Sequence, residues 1–237
     1  MVNYQNEYNR WLDSPALSDK EREELVSIGS DEGLKEFRFS NPMDFGTAGL
    51  RSTMYQGIGN MNRFTVAQTT RGIAALIKAQ CGESRGVAIA YDSRNNSREF
   101  ARISACVLAG AGIKSYIFNG LRPTPELSYA VRETGALAGI NITASHNPKE
   151  YNGYKAYWED GAQLAPEHAS AHARELLGVI TGVVCDSDAA GLTALCLNKR
   201  SYTASGVGYG KSVHTADTHI HSRTKSCRAE AHRRSKA

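Results

Sequence analysis

The run Thr143-Ala144-Ser145-His146-Asn147-Pro148, followed by Tyr151-Asn152-Gly153-Tyr154-Lys155, gathers a hydroxyl, an imidazole, an amide and an ammonium in one short span. It closes an apolar run from Leu137 to Thr143. That run reads as a buried strand, because short apolar runs bounded by turn formers suit strands. Pro148 and the Asn152-Gly153 pair predict a tight loop after it. A serine hydroxyl is thereby set at the carboxyl end of a strand, where open α/β sheets bind ligands. The chemistry that fits is covalent phosphoryl transfer. Serine is a weak nucleophile until a base or cation activates it. A phosphoserine would carry roughly −1.5 to −2 charges at neutral pH. His146, Lys155 and the loop N–H groups would offset that charge. The plain alternative is a polar strand-to-loop turn in which Ser145 and Asn147 cap backbone groups.

Three further runs have suitable chemistry. In Asp44-Phe45-Gly46-Thr47-Ala48-Gly49-Leu50-Arg51, glycines flank a threonine, so backbone can approach an anion, and Arg51 can grip a phosphate through two N–H groups. A glycine-containing hairpin with a solvated arginine fits the same residues. Asp92-Ser93-Arg94 follows the apolar run Gly86–Tyr91, again at a strand's carboxyl end. Pro123-Thr124-Pro125 stands before another helix-like pattern.

The elements that must position these residues follow from periodicity. Residues 3–12 and 18–28 read as short helices separated by Pro15, with a capping box at Ser18 and Glu21. Trp11, Leu12, Leu17, Leu25 and Ile28 are their apolar contacts. Arg63 to Gln80 repeats apolar residues at helical spacing and is closed by Gly82. Strands are expected at 86–91, 114–118, 137–143 and 154–158. Helices are expected at 98–110, N-capped by Ser97, at 124–134 and at 166–180. His168 and His172 share one side of the last helix without a third ligand, so a solvated face is the better reading. This alternation predicts an α/β fold, a mostly parallel mixed sheet sandwiched by helices.

Taken together, these motifs resemble the α-D-phosphohexomutases, the phosphoglucomutase/phosphomannomutase family. Thr143–Pro148 and Tyr151–Lys155 match its phosphoserine loop, T-A/G-S-H-N-P followed by Y-N-G-x-K. Phe45–Arg51 matches its F-G-T-A/S-G-L/I-R loop, Asp92-Ser93-Arg94 its D-x-R segment, and Pro123-Thr124-Pro125 its P-T-P run. The resemblance covers residues 44–170, the first of the family's four domains, an α/β/α unit. It implies an isomerase, an intramolecular phosphotransferase of carbohydrate metabolism. Phosphorylated Ser145 would donate to a phosphorylated sugar, with a hexose 1,6-bisphosphate as intermediate and activator. The roles it implies are Arg51 and Thr47 as phosphate ligands, Lys155 as acid/base or charge stabiliser, and His146 and Asn147 as loop-positioning groups. Asp92 and Arg94 would support the loop. Mg²⁺ would bind a phosphoserine oxygen of Ser145 and aspartates of the D-G-D-x-D-R loop. Neither that loop nor the sugar-selecting G-E-x-S-G loop occurs in this sequence, and Asp186-Ser187-Asp188 does not replace the first. The expectation is therefore a truncated chain, inactive alone, or else a non-catalytic fragment or interaction module. Its interdomain faces would be exposed and prone to self-association.

Composition bounds the rest. The 237 residues are 41% hydrophobic and 22% charged, ordinary for a globular protein. No apolar stretch approaches the roughly 20 residues of a membrane helix, and the polar N-terminus is unlike a secretory signal. Five cysteines without C-x-x-C spacing suit reduced thiols, so a cytoplasmic location is expected. From Cys185 onward nine Lys/Arg stand against four Asp/Glu, so the first 184 residues carry −1 of the total +4. The body therefore has no electrostatic footprint for nucleic acid. Beyond Ile180 a single isoleucine remains, at position 220, and residues 198–237 lack any period. That stretch is expected to be disordered. Beyond Ile180, Cys185, Cys196, His214, His219, His221 and Cys227 match no zinc spacing. The expected organisation is an N-terminal helical extension over 1–40, the α/β/α domain over 41–182 and a basic tail over 183–237.

Overall fold

The computed structural model describes residues 3–43, 45 and 49–164. The expectations for Thr47, for the helix 166–180 with its two histidines, and for the tail lie outside the described residues.

Three helices come first: α1 (Tyr4–Leu12), α2 (Asp19–Ser27) and α3 (Glu32–Phe39). The Asn3 side chain caps α1 by accepting from the N–H groups of Gln5 and Asn6. Ser18 and Glu21 form the reciprocal capping box of α2. The third helix was not legible from periodicity, because Gly33 stands in its first turn, where glycine disfavours a helix. Asp31 nevertheless caps it by accepting from the Leu34 N–H. Trp11, Leu17, Leu25, Ile28 and Phe39 bury together with Ile58 and Phe64. Trp11 meets Phe39 and Phe64 edge-on, at 5.8 and 5.2 Å between ring centroids. An Arg63–Glu21 ion pair at 2.6 Å ties the helices to the rest of the chain.

The remaining elements are β1 (Leu50–Thr53), α4 (Arg63–Ala79), β2 (Val87–Tyr91), α5 (Ser97–Gly110), β3 (Ser115–Ile117), α6 (Thr124–Thr134), β4 (Ala138–Ile142) and β5 (Tyr151–Trp158). One sheet runs in the order β1-β5-β4-β2-β3. Strand β2 pairs in parallel with β3 and β4, whereas β5 pairs antiparallel with β4 and β1. The fold is the expected α/β/α class, and half of its ladders are antiparallel. Alternation along the strands separates the two faces. Val87, Ile89, Tyr91, Ile140, Ile142 and Tyr154 pack under α4 and α5. Ala88, Ala90 and Tyr157 pack under α6 with Leu127 and Val131. Small residues on the second face let α6 approach closely. A Cβ on Gly139 would stand 2.7 Å from a Val131 methyl carbon.

Two local expectations are corrected. Asn152 and Gly153 do not form the loop; they lie inside β5, opposite Ser52 and Arg51 of β1. The glycine is there because the backbone is crowded: a Cβ would stand 2.6 Å from the Thr143 carbonyl oxygen and 2.9 Å from that of Leu50. Ser97 does not cap α5 but begins it. Asn96 precedes it in the left-handed region without a side-chain cap bond. The Ser97 hydroxyl instead donates to Asp92 Oδ1 at 2.7 Å.

Candidate functional site

Strands β2 and β4 end side by side, at Tyr91 and Ile142. The chain leaving β4 turns at once. Ser145 takes φ +57°, the left-handed region that non-glycine residues seldom occupy. Its N–H donates to Thr143 Oγ1 at 3.0 Å, and the Asn147 N–H donates to the Ala144 carbonyl at 3.2 Å. The Tyr151 N–H then closes the loop on the Pro148 carbonyl at 3.0 Å. The polar loop stands proud of the sheet: Ser145 and His146 are exposed, while Ala144 behind them is fully buried.

Arg94 holds this loop from the neighbouring strand end. One terminal nitrogen donates to the carbonyls of Pro148 and Tyr151, at 2.8 and 3.1 Å. The other donates to those of Ser145 and Asn147, at 2.7 and 2.5 Å. A single planar guanidinium thus collects four carbonyls, three of the loop and one at the start of β5. Asp92 orients it, with Oδ2 at 3.6 Å from Arg94 Nε, and Oδ1 accepts from the Arg94 N–H. Asn152 adds a second tie by donating to the Asn95 carbonyl and to Ser97 Oγ, both at 2.9 Å.

Above the loop, Arg51 of β1 donates to Asn147 Oδ1 at 3.0 Å. His146 Nδ1 lies 3.4 Å from Ser145 Oγ. Gly49, at φ +105°, brings β1 against β5, where a Cβ would overlap the Tyr154 carbonyl. Its conformation therefore serves strand approach. Lys155 lies one step down β5, opposite Asn141 of β4, and is half-buried. The register sets Arg51, Gly153 and Lys155 on the α6 face of the sheet. Between them Tyr154 points to the other face. Its fully buried hydroxyl meets Thr70 Oγ1 at 3.2 Å, and burial raises its pKa far above the ordinary tyrosine value.

Ser145, His146, Asn147, Arg51, Asp92 and Arg94 are thus gathered at one sheet end, with Lys155 just below. Sequence reasoning did not single out Thr143, Asn152, Ser97 or Asn95 as parts of the loop's support. The bonds of the last three join residues some fifty positions apart, which no local spacing signals. Among the described residues no group of three His, Cys, Asp or Glu converges to hold a metal. No helix there is long and apolar enough to cross a membrane.

A family model described as phosphoglucomutase/phosphomannomutase, alpha/beta/alpha domain I, matches residues 42–176. A phosphopentomutase of Mus musculus is 41% identical over 167 residues, 67% of this chain and 27% of that protein. A phosphoglucomutase of Staphylococcus aureus (strain USA300) is 47% identical over 141 residues, 58% of this chain and 25% of that protein. A solved structure from Thermus thermophilus, assigned as a phosphomannomutase, superposes with a TM-score of 0.51. It is 30% identical and covers 61% of this chain and 30% of that one. The chain spans under a third of the length of each of these relatives. With the family model covering more than half of its residues, this chain belongs to the phosphoglucomutase/phosphomannomutase family through its alpha/beta/alpha domain I.

Proposed function

We propose that this chain supplies the phosphoserine half of a phosphohexomutase-type phosphoryl transfer, with Ser145 as the phosphate carrier. The observation that carries the reading is the Ser145 loop. An exposed hydroxyl sits on a left-handed residue at a strand end, and Arg94 fastens the backbone around it through four carbonyls. Positioning and charge neutralisation dominate phosphoryl transfer. In the forward step the Ser145 Oγ–P bond breaks and a bond forms from phosphorus to a sugar hydroxyl. The hydroxyl proton goes to a base, and Ser145 Oγ regains a proton. His146 Nδ1, at 3.4 Å, is placed to hand over that second proton. Arg51 and Lys155 neutralise the phosphate. Transfer back from the other phosphate of the bisphosphate restores the enzyme.

Mg²⁺ needs nearly octahedral oxygen ligands. The described residues do not fit it. Asp92 is engaged by Arg94 and Ser97, and Asn147 Oδ1 by Arg51. Its ligands beyond a Ser145 phosphate would come from outside the described residues. We accordingly expect no turnover by this chain alone.

Incubation with glucose 1,6-bisphosphate followed by phosphopeptide mapping should place the label on Ser145, and Ser145→Ala should abolish it. Label on another residue overturns the assignment, and no label at all favours a non-catalytic domain. A coupled assay for glucose 6-phosphate formed from glucose 1-phosphate should show no rate above the Ser145→Ala control.

A further inference from the structure

Asn141 is 1% exposed, in the middle of β4 on the α6 face, and its Oδ1 is buried with no hydrogen-bond donor among the described residues. An orphaned buried acceptor costs desolvation energy and calls for an explanation. Its amide nitrogen is already committed. Nδ2 donates at 2.8 Å to Thr124 Oγ1, at the first position of α6 inside the Pro123-Thr124-Pro125 run. An amide is planar, so fixing the nitrogen on that side turns the oxygen to the other. The residue directly opposite Asn141 in the β4–β5 ladder is Lys155. Cross-strand partners on one face stand roughly 4.5–5.5 Å apart at Cβ. Among the described residues the Lys155 side chain makes no hydrogen bond or ion pair, so its flexible stem is free to turn. Because Oδ1 is closed to solvent, a sugar hydroxyl cannot reach it, whereas a lysine rising from the same face can.

We propose that Asn141 is the positioning residue for Lys155: Thr124 fixes the Asn141 amide, and Asn141 Oδ1 accepts a hydrogen bond from the Lys155 ammonium. This rests on the reading that Lys155 acts at the Ser145 site. Asn141 lies two residues before Thr143, about 7 Å along the strand. The bond therefore keeps the ammonium beside the loop, facing an anion on Ser145. It also gives the Pro-Thr-Pro run a purpose, since Pro123 and Pro125 fix the backbone on either side of the threonine whose hydroxyl anchors the relay.

The test is competitive acetylation of the whole chain with an N-hydroxysuccinimide acetate, read by peptide mapping, with exposed Lys149 as internal reference. A lysine nitrogen held against a buried acceptor is shielded from the reagent. Asn141→Leu keeps the site apolar and filled, and should raise Lys155 labelling about ten-fold relative to Lys149. Asn141→Asp keeps an acceptor oxygen, and should leave Lys155 as protected as in the parent. Thr124→Val should give an intermediate rise. Purely structural burial predicts no difference between the leucine and aspartate variants. Equal labelling in parent and Asn141→Leu, or leucine-like labelling in Asn141→Asp, overturns the proposal. Should Asn141→Leu fail to fold, Thr124→Val, at a half-exposed helix start, decides: unchanged labelling there refutes the relay. None of these readings needs Ser145 to carry phosphate. A chain that never phosphorylates would refute the proposed function and leave this result standing.

Discussion

Replacing Arg94 by methionine keeps most of the side-chain stem and removes the guanidinium that collects the loop carbonyls. Of its four bonds, those to Tyr151 and Asn147 are partly buried, and those to Ser145 and Pro148 lie near solvent. A bond from a charged donor is worth roughly 1.5–3 kcal/mol, and water replaces much of the two outer ones. Bonds sharing one group do not add fully. The two inner bonds at the low end give a loss of about 3 kcal/mol. Asp92 keeps the Ser97 hydroxyl, so its own penalty is small. Against a typical domain stability of roughly 5–15 kcal/mol, the variant stays folded. The urea midpoint should fall by about 1–3 M with an unchanged slope. Amide hydrogen exchange should quicken at Asn147 and Tyr151, whose N–H groups close the loop, and not in β2 or α4. Phosphate incorporation at Ser145 should fall by about 100-fold, the scale set by an ångström of misplacement. Arg94→Lys should recover less than half of the stability, because a point charge cannot span two pairs of carbonyls. An unchanged midpoint, or full rescue by lysine, would refute the idea that the fork geometry of Arg94 builds the loop.

Further outcomes are expected elsewhere. Glu21 is desolvated by burial, but bonds from Arg63 and Ser18 outweigh this and lower its pKa. Its stabilisation is therefore present above the unfolded-state value and is lost as pH falls through the depressed folded value. Glu21→Gln should cost about 1–3 kcal/mol at pH 7 in chemical unfolding, with the gap closing in acid. A gap independent of pH would contradict the ion-pair account. Gly153→Ala should lower the melting temperature, because its Cβ meets two backbone oxygens that cannot rotate away; a cost of about 1–3 kcal/mol is expected. Trp11→Ala empties the contact between Phe39 and Phe64 and should cost about 3–5 kcal/mol. Limited proteolysis would then cut between α1 and α3 first, and an unaltered digestion pattern would show that the N-terminal helices are held by other means.

Most strands and helices were legible because burial dictates their periodicity. Val87–Tyr91 and Ala138–Ile142 are buried on both faces and read as unbroken apolar runs. Strand β1 was not, since Leu50-Arg51-Ser52-Thr53 is a short edge strand with one buried residue. The Asn152-Gly153 pair misled for a physical reason: glycine marks backbone crowding as readily as a turn, and crowding depends on strands far away in sequence. At the site, residue types announced the chemistry, whereas the support did not show. Arg94 was visible beside Asp92 as a local pair, but its bonds run to carbonyls, which have no sequence signature. Asn141 drew no notice within an apolar run, and its partner at Thr124 emerges only once α6 folds back over β4.

The left-handed backbone at Ser145 has a consequence for what selection can see. A residue with a Cβ in that region is disfavoured by roughly 1–2 kcal/mol, and glycine adopts it freely. In a library screened for folding alone, glycine and asparagine should displace serine at this position. In a library screened for phosphate uptake, serine should return and bring the strain with it. The two enrichment profiles would diverge at position 145 and agree at its neighbour Ala144, which is fully buried and answers only to packing. A clone recovered for high thermal stability is therefore the one whose codon 145 should be read first, before its loss of phosphorylation is blamed on anything remote.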